Sequence, residues 1–199
     1  EIDATLGIDE YEKIRTCIEE GIGPAIPDDG RILTTPPHYA YLRIADGCNN
    51  FCTFCTIPSI RGKYRSRTIE SLLKEAEFLV SEGVKELILV AQDVTSYGKD
   101  IYGEYRLIDL LHKLSKLDFK WIRLMYCYPE LVTDELIEEI ASNPKIAKYI
   151  DIPMQHVSDS VLKRMNRRNG YADIIRICDK LKEKNIALRT TFMVGFPGE

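Results

Sequence analysis

From residue 39 onward, the apolar positions along the chain follow two alternating patterns. Short, nearly continuous apolar runs such as ELILVAQ (86–92) predict buried strands. Longer stretches with an apolar residue every three or four positions, such as TIESLLKEAEFLVSEG (68–83), predict amphipathic helices. The predicted strands cover residues 39–46, 86–92, 121–128, 149–155 and 186–196, and the predicted helices cover residues 68–83, 106–117, 133–143, 158–167 and 171–185.

The first 37 residues do not follow this alternation. Residues 9–20 predict a helix that ends at Gly21, and residues 21–37 contain four prolines and three glycines without a usable period. We therefore predict that residues 1–37 are an appendage and a Pro/Gly-rich linker from a missing N-terminal domain. Residues 38–199 form the core domain in this interpretation.

Five strands that alternate with helices predict an α/β fold with a parallel sheet, because each crossover helix returns the chain in the same direction. No dinucleotide-binding glycine pattern is evident, so the sequence favours a (β/α) barrel, or an open part of one, with five β/α units. The chemistry of such barrels lies at the carboxyl ends of the strands. We expect the polar or reactive residues that follow the predicted strands to converge at one mouth: Cys48, Cys52, Cys55, Gln92, Asp93, Cys127, Tyr128, Gln155, His156 and Gly195.

The overall composition limits where the protein works. The 199 residues are 45% hydrophobic and 29% charged, which is ordinary for a globular protein. Neither a membrane-length apolar stretch nor a secretory signal pattern is evident, so we predict a cytoplasmic protein without membrane contact. In that reducing compartment, clustered cysteines are expected to be metal ligands or catalysts rather than disulfides.

The charge of the chain argues against broad nucleic-acid binding. The formal net charge is −4, whereas nucleic-acid-binding proteins usually carry a basic excess. The local exception is RGKYRSR (61–67), which has four cations in seven residues. A solvated loop is the simpler interpretation of this run, and a contact with an anionic or RNA-rich partner is the alternative.

Three of the six cysteines lie within eight residues, at Cys48, Cys52 and Cys55. A structural zinc site would need a fourth ligand from a distant part of the chain, such as Cys127 or His156. A redox pair at Cys52 and Cys55 would leave Cys48 unexplained, and an electron-transfer cluster would need a fourth thiolate. A 4Fe–4S cluster held by only three cysteines would leave one iron open to a substrate or a cofactor.

The spacing in CNNFCTFC (48–55), directly after the first predicted strand, resembles the signature of the radical S-adenosylmethionine (radical SAM) enzymes. The resemblance implies a partial barrel of the radical SAM type, truncated before its sixth strand. It also implies that Cys48, Cys52 and Cys55 hold a 4Fe–4S cluster whose fourth iron is chelated by S-adenosylmethionine. Reductive cleavage of that cofactor would release a 5′-deoxyadenosyl radical that abstracts a hydrogen atom from the substrate.

The same resemblance implies cofactor-binding roles for five further residues. Phe54 would lie against the cluster or the adenine, Gln92 near the methionyl end of the cofactor, and Gln155 near its ribose or methionine part. Arg189 would pair with the cofactor carboxylate, and Gly195 would let the backbone approach the adenine. The alternatives are structural: strand-end caps for the two glutamines, an internal ion pair for Arg189 and a simple turn for Gly195. No catalytic residue is assigned beyond the cluster ligands.

Four segments narrow the resemblance to the methylthiotransferase branch: residues 47–67, 91–98, 152–168 and 188–199. The loops AQDV (91–94) and QHVSD (155–159) are similar to those of the type that methylthiolates the β-carbon of an aspartate in a small-subunit ribosomal protein. The implied partners are that ribosomal protein and an electron donor such as a flavodoxin or a ferredoxin. The alternatives are a tRNA adenosine methylthiotransferase of the same branch, with tRNA as its partner, and a non-catalytic iron–sulfur electron-transfer or zinc module.

The branch also has an N-terminal domain with three further cysteines and a C-terminal β-barrel module. Neither is evident in this sequence. We therefore expect the chain to be the central piece of a larger enzyme and to be inactive in isolation.

Overall fold

The computed structural model describes residues 31–199. The helix predicted for residues 9–20 and most of the linker predicted for residues 21–37 lie outside the described residues. Residues Thr35–Glu199 form one compact unit, and it contains every predicted strand.

A five-stranded parallel sheet forms the centre of this unit. Its strands are β1 (Tyr39–Arg43), β4 (Glu86–Val90), β5 (Trp121–Leu124), β6 (Ile146–Asp151) and β7 (Ala187–Arg189). A separate antiparallel pair joins β2 (Ala45–Asp46) to β3 (Arg65–Ser66). Within the sheet the strands lie in the order β1-β4-β5-β6-β7, and each adjacent pair is parallel. This open sheet confirms the α/β fold and the partial barrel of five β/α units.

Helices make the connections between the strands. Five of them lie within the predicted stretches: α2 (Ile69–Ser81), α4 (Leu107–Leu114), α5 (Asp134–Ser142), α6 (Asp159–Arg164) and α7 (Tyr171–Glu183). Two short helices, α1 (Ile57–Arg61) and α3 (Lys99–Tyr102), are not predicted, because so few residues do not complete an amphipathic period. Short 3₁₀ turns occupy Val94–Ser96 and Pro129–Leu131.

The core lies between the sheet and the helices that cover it. Leu42 of β1, Leu89 of β4 and Leu124 of β5 are completely buried. Helix α2 buries Leu72 and Leu79 on the face that its apolar spacing predicts. Because these contacts fix the strands, they also fix the loops that leave the carboxyl ends of the strands.

All five predicted strands are longer than the observed ones: 39–46 divides into β1 and β2, 86–92 ends at Val90, and the other three differ as follows. The stretch 121–128 leaves the sheet after Leu124, and Tyr126 takes a left-handed backbone with φ of 58°. The strand predicted at 149–155 runs instead over Ile146–Asp151, and the strand predicted at 186–196 is confined to Ala187–Arg189.

The apolar pattern extends past the strand ends because it records burial and not strand pairing. Cys127 and Met154 are buried although both lie beyond the ends of their strands. Gln155 has a left-handed φ of 71°, and only an isolated bridge links it to Phe192. The chain therefore turns out of the sheet just where the candidate site begins.

In the part of the chain that the structure describes, no helix combines the length and the apolar character needed to cross a membrane.

Candidate functional site

The cysteine loop, residues 47–55, leaves the end of β2 through a turn that requires glycine. Gly47 has a left-handed φ of 76°, and a Cβ atom at this position would lie 2.2 Å from the carbonyl oxygen of Lys63. Cys48 then donates its backbone N–H to the carbonyl of Gly62 at 3.2 Å. The loop is thereby held against the segment between α1 and β3, and its first thiol has a defined position.

The chain that follows α6 holds the other side of the cysteine loop. Thr53 donates its N–H to the carbonyl of Met165 at 3.1 Å and its hydroxyl to the carbonyl of Arg164 at 3.0 Å. The side-chain amide of Asn166 donates to the carbonyls of Asn50 and Phe51 at 3.2 and 2.9 Å. Residues that are more than one hundred positions apart in the sequence therefore fix the shape of the loop.

The three thiols face one cavity of about 400 Å³ at the carboxyl end of the sheet. Cys48, Cys52 and Cys55 are half-buried, and none of them forms a disulfide. The cavity is lined by Cys48, Asn50, Cys52, Phe54, Cys55, Ile57, Ala91, Gln92, Tyr126, Cys127, Tyr128, Pro153, Gln155 and Arg167. The loop ends that follow β4, β5 and β6 thus meet the cysteine loop, as the parallel topology predicts.

Three of the five predicted cofactor residues line this cavity. Phe54 packs its ring edge-on against Phe196, with ring centroids 6.5 Å apart. The side-chain oxygen of Gln92 is buried without a hydrogen-bond partner among the described residues. Gln155 also lines the cavity, and an isolated β-bridge links its left-handed backbone to Phe192.

The other two predicted residues, Arg189 and Gly195, do not line the cavity. Arg189 pairs with the buried carboxylate of Asp151 at 3.1 Å, which matches the internal ion pair that the sequence left as an alternative. Gly195 lies in a turn and donates its N–H to Glu199 at 2.6 Å. The assignment of Arg189 and Gly195 to the cofactor stays a prediction.

Sequence reasoning assigned no role to Arg167, which contacts the cysteine loop directly. Its guanidinium carbon lies 4.0 Å from the centroid of the Tyr128 ring, and one of its nitrogens lies 3.7 Å from the sulfur of Cys52. The hydroxyl of Tyr128 lies 3.9 Å from the same sulfur. The available signal was the basic segment RMNRR (164–168), whose position after α6 brings it to the cavity only in the folded chain.

The buried carboxylate of Asp93 stabilises the loops around the cavity through hydrogen bonds. It is 1% exposed, and it accepts hydrogen bonds from the backbone and the hydroxyl groups of Thr95 and Ser96. It also accepts from the side chain of Asn50 at 3.0 Å, which ties the cysteine loop to the end of β4. The hydroxyl of Tyr64 donates to the backbone carbonyl of Asp93 at 2.7 Å.

Burial controls the thiol chemistry of the cavity. Burial raises the pKa of Cys48, and the negative charge of Asp93 raises it further against the opposing N–H of Asn50. Complete burial likewise raises the pKa of Cys127 well above its ordinary value. A bound metal would reverse this effect at Cys48, because a coordinating thiol is deprotonated.

The donor set fits an iron–sulfur cluster better than a single metal ion. Among residues 31–199, no group of three His, Cys, Asp or Glu side chains converges in a way that could hold one metal ion. The closed tetrahedron of ligands that structural zinc requires is therefore not formed there. Three accessible thiols around an open cavity instead leave space for a larger group beside them.

Comparison with known proteins identifies a superfamily. The model of the radical SAM superfamily matches residues 42–199, which is most of the chain and includes the cysteine loop.

Close relatives extend over the whole chain. The chain is 51% identical over 214 residues to the ribosomal protein uS12 methylthiotransferase RimO of Clostridium tetani, covering 100% of this chain and 48% of the relative. It is 53% identical over 213 residues to the protein of the same description from Thermoanaerobacter sp. strain X514, again covering 100% of this chain and 49% of the relative. The chain thus spans about half the length of the curated relatives that it matches.

Solved structures share the fold at low sequence identity. The radical S-adenosylmethionine methyltransferase TsrM from Kitasatospora setae superposes with a TM-score of 0.65 at 17% identity, covering 81% of this chain and 32% of that chain. The cobalamin-dependent S-adenosylmethionine radical enzyme OxsB gives a TM-score of 0.62 at 16% identity, covering 77% of this chain and 23% of that chain. At these identities the likeness concerns the fold alone.

Proposed function

The chain belongs to the radical SAM superfamily, and from this premise we propose that Cys48, Cys52 and Cys55 hold a 4Fe–4S cluster whose open iron binds S-adenosylmethionine. We further propose that the complete protein methylthiolates the β-carbon of an aspartate in a small-subunit ribosomal protein. One observation carries the first proposal: three free thiols on one anchored loop face a single cavity at the carboxyl end of the sheet. When bound, the cluster and S-adenosylmethionine supply a radical that can abstract hydrogen from an unactivated carbon.

The side chains of the cavity suit the parts of S-adenosylmethionine. The unpartnered oxygen of Gln92 can accept a hydrogen bond from the methionyl amino group, which would satisfy a buried acceptor. The ring of Phe54 offers an apolar face to the adenine, and Gln155 offers amide groups to the ribose hydroxyls. Arg189 pairs with Asp151 and does not line the cavity, so we propose its role last among these residues.

Apolar walls of the cavity would help to exclude water from the reacting groups once the cofactor is bound. Ile57, Ala91 and Pro153 provide apolar surface between the polar side chains. A dry cavity protects a reactive radical from side reactions. The chain therefore contributes thiol ligands, orientation of the cofactor and shielding.

The names of the relatives support the ribosomal substrate, because proteins 51–53% identical over this entire chain are ribosomal protein uS12 methylthiotransferases. Since the chain spans about half of those relatives, the activity is proposed for the complete protein. Residues 38–199 would be its radical SAM core, and residues 1–37 would be the remainder of a preceding domain. The reaction would take its electron from a flavodoxin or a ferredoxin in the cytoplasm.

The folded structure weakens the support that the basic run at residues 61–67 gives to the tRNA alternative. Arg61 pairs with Asp46 at 3.3 Å, and Arg67 pairs with Glu75 at 2.6 Å. These contacts engage two of the four cations in residues 61–67, and Asp46 is shared between Arg61 and Arg43. The run is thus a weaker site for an anionic partner than its sequence indicates.

Anaerobic reconstitution with iron and sulfide tests the cofactor proposal. We expect a 4Fe–4S electron paramagnetic resonance signal that changes when S-adenosylmethionine is added. Serine at Cys48, Cys52 or Cys55 should abolish this signal, whereas Cys178→Ser is the matched control, since Cys178 lies on α7 outside the cavity. Bound zinc without acid-labile sulfide, or a cluster that does not respond to the cofactor, would contradict the proposal.

Mass spectrometry of a deletion strain tests the substrate. We expect uS12 to lose the mass of one methylthio group while the methylthioadenosine of tRNA is unchanged. Loss of the modified nucleoside with intact uS12 would instead support the tRNA alternative.

A further inference from the structure

Arg167 is a buried cation without a carboxylate partner. The residue is only 7% exposed, and among residues 31–199 its guanidinium forms no ion pair with an acidic side chain. One terminal nitrogen donates to the carbonyl of Pro153 at 2.6 Å, and the Nε atom is buried without a partner. The guanidinium carbon lies 4.0 Å from the centroid of the Tyr128 ring.

An uncompensated buried charge is costly, so arginines in protein interiors are normally paired. Arg123, which is half-buried on β5, follows that rule, because it pairs with Glu86 at 2.5 Å. Arg167 departs from it, and its other terminal nitrogen lies 3.7 Å from the sulfur of Cys52. The nearest group that can become anionic on this side of the guanidinium is therefore a thiolate.

We infer that Arg167 is the counter-ion and hydrogen-bond donor to the cluster at the Cys52 thiolate, and that it raises the cluster's reduction potential. The inference rests on the proposed function, since it needs the cluster that the three cysteines would hold. Positive charge and hydrogen bonds at the sulfur atoms favour the more negative, reduced state of an iron–sulfur cluster. The Pro153 carbonyl and the Tyr128 ring act as supports that hold the guanidinium in place.

Substitutions at Arg167 in the complete protein test this role. Arg167→Met removes the charge and the donors at similar length, whereas Arg167→Lys keeps a charge but loses the planar fork. Lys163→Met is the control, because this cation is exposed on α6 and does not line the cavity. The readouts are iron and sulfide content and the midpoint potential of the S-adenosylmethionine-responsive signal, titrated by electron paramagnetic resonance.

We expect Arg167→Met to shift the midpoint potential to a more negative value, Arg167→Lys to shift it less, and Lys163→Met to leave it unchanged. A wild-type potential in Arg167→Met with a full cluster would overturn the inference. If Arg167→Met takes up no cluster, Arg167→Lys decides the question, and an unchanged potential in that variant overturns the inference. Absence of a responsive cluster in the wild-type protein would refute the proposed function itself.

A second cavity, of about 240 Å³, adjoins the first and carries an independent inference. Asn50 and Tyr128 line both cavities. The second cavity is polar, and its other lining residues are Asn49, Tyr64, Ser96, Lys99, Asp100, Tyr105, Glu130, Leu131 and Arg168.

Among the described residues that line this second cavity, Glu130 has a buried carboxylate oxygen that accepts no hydrogen bond. Both oxygens of Asp100 are already taken by the backbone and the hydroxyl of Ser66, and Lys99 donates to the carbonyl of Gly103. One carboxylate oxygen of Glu130 is buried and has no partner among the described residues. Arg168 also lines this cavity, but it forms no ion pair with Glu130.

We propose that Glu130 binds a cationic side chain of the protein substrate, next to the residue that reacts in the first cavity. This proposal also rests on the proposed function, because it places a substrate residue beside the cofactor. Proteins that bind ribosomal RNA carry many lysine and arginine side chains, and this chain has a net charge of −4. An ammonium or guanidinium group would satisfy the buried carboxylate oxygen with a charge-assisted hydrogen bond.

The role of Glu130 is tested by combining a substitution in the enzyme with a substitution in the substrate peptide. The substrates are a synthetic peptide of the ribosomal protein around the modified aspartate and the same peptide with norleucine at every lysine and arginine position. Glu130→Gln should raise the KM of the basic peptide by on the order of tenfold or more. The KM of the norleucine peptide should rise by much less, because that peptide offers no cation to the carboxylate.

Glu135→Gln is the control, because that glutamate is exposed outside the cavity. An equal KM for the basic peptide in wild type and Glu130→Gln would overturn the proposal, and would mean that water or Arg168 satisfies the carboxylate. A wild-type enzyme that modifies neither peptide nor uS12 would refute the proposed function instead.

Discussion

Asp93→Asn is the substitution that most directly tests how the cavity is supported. The wild-type carboxylate is 1% exposed, and among residues 31–199 it pairs with no lysine or arginine. Its charge is stabilised by hydrogen bonds from five groups: the N–H and hydroxyl of Thr95, the N–H and hydroxyl of Ser96, and the side-chain amide of Asn50. Asparagine has nearly the same shape but only one acceptor oxygen.

The magnitude follows from the oxygen that asparagine loses. One oxygen accepts from Thr95 and from the N–H of Ser96, and the other accepts from Asn50 and from the hydroxyl of Ser96. An NH₂ group in place of the second oxygen would face the Asn50 amide as a second donor, whereas the Ser96 hydroxyl can rotate to accept. Hydrogen bonds to charged groups contribute about 1.5–3 kcal/mol each. The bond from Asn50 is lost, and the three bonds to the remaining oxygen are weakened because that oxygen is no longer charged. Together these changes predict a loss of about 2–4 kcal/mol in the free energy of unfolding.

Urea unfolding followed by circular dichroism measures this loss. Asp118→Asn is the matched control, because its carboxylate is 83% exposed and pairs only with Lys85, so a change within about 0.5 kcal/mol is expected. Because Asn50 tethers the cysteine loop to Asp93, Asp93→Asn should also bind less iron after reconstitution than the control does. Equal unfolding free energies for Asp93→Asn and Asp118→Asn would refute the reasoning that this hydrogen-bonded carboxylate supports the loop.

Three further predictions concern the core, a helix cap and a pH-dependent turn. Leu42→Ala, at a completely buried position of β1, should reduce the unfolding free energy by about 2–5 kcal/mol in the same urea assay. Thr133→Ala, which removes the hydroxyl that accepts from the N–H of Leu136 at 3.2 Å, should cost about 1 kcal/mol, and a loss near zero would exclude a role for this cap. The pKa of Glu199 lies below its ordinary value because the N–H of Phe196 and the side chain of His156 stabilise the carboxylate. The contribution of Glu199 to stability is therefore fully present above the unfolded pKa, and it is lost as pH falls through the lower folded pKa. Nuclear magnetic resonance of the 195–199 turn should follow that loss, and Glu199→Gln should remove the pH dependence.

The pattern of apolar residues predicts the helices and strands and their order, because each helix or strand depends on a short stretch of sequence. A strand such as ELILV (86–90) needs only a short apolar run, and a helix such as 69–81 needs only apolar residues at helical spacing. Parallel topology then follows from the alternation itself, and it correctly predicts that Gln92, Cys127 and Gln155 meet the cysteine loop. The strand ends were less predictable, because buried residues such as Cys127 and Met154 look apolar whether or not they pair.

The sequence by itself determined the α/β class, the five β/α units and the three thiols on one loop after residue 46. Only the tertiary structure decided which polar side chains reach those thiols. It brings Arg167 to Cys52 across 115 positions of sequence, and it pairs Arg189 with Asp151 away from the cavity. The physical reason is that periodicity reports which face of an element is buried, whereas contacts between distant segments depend on how the elements pack.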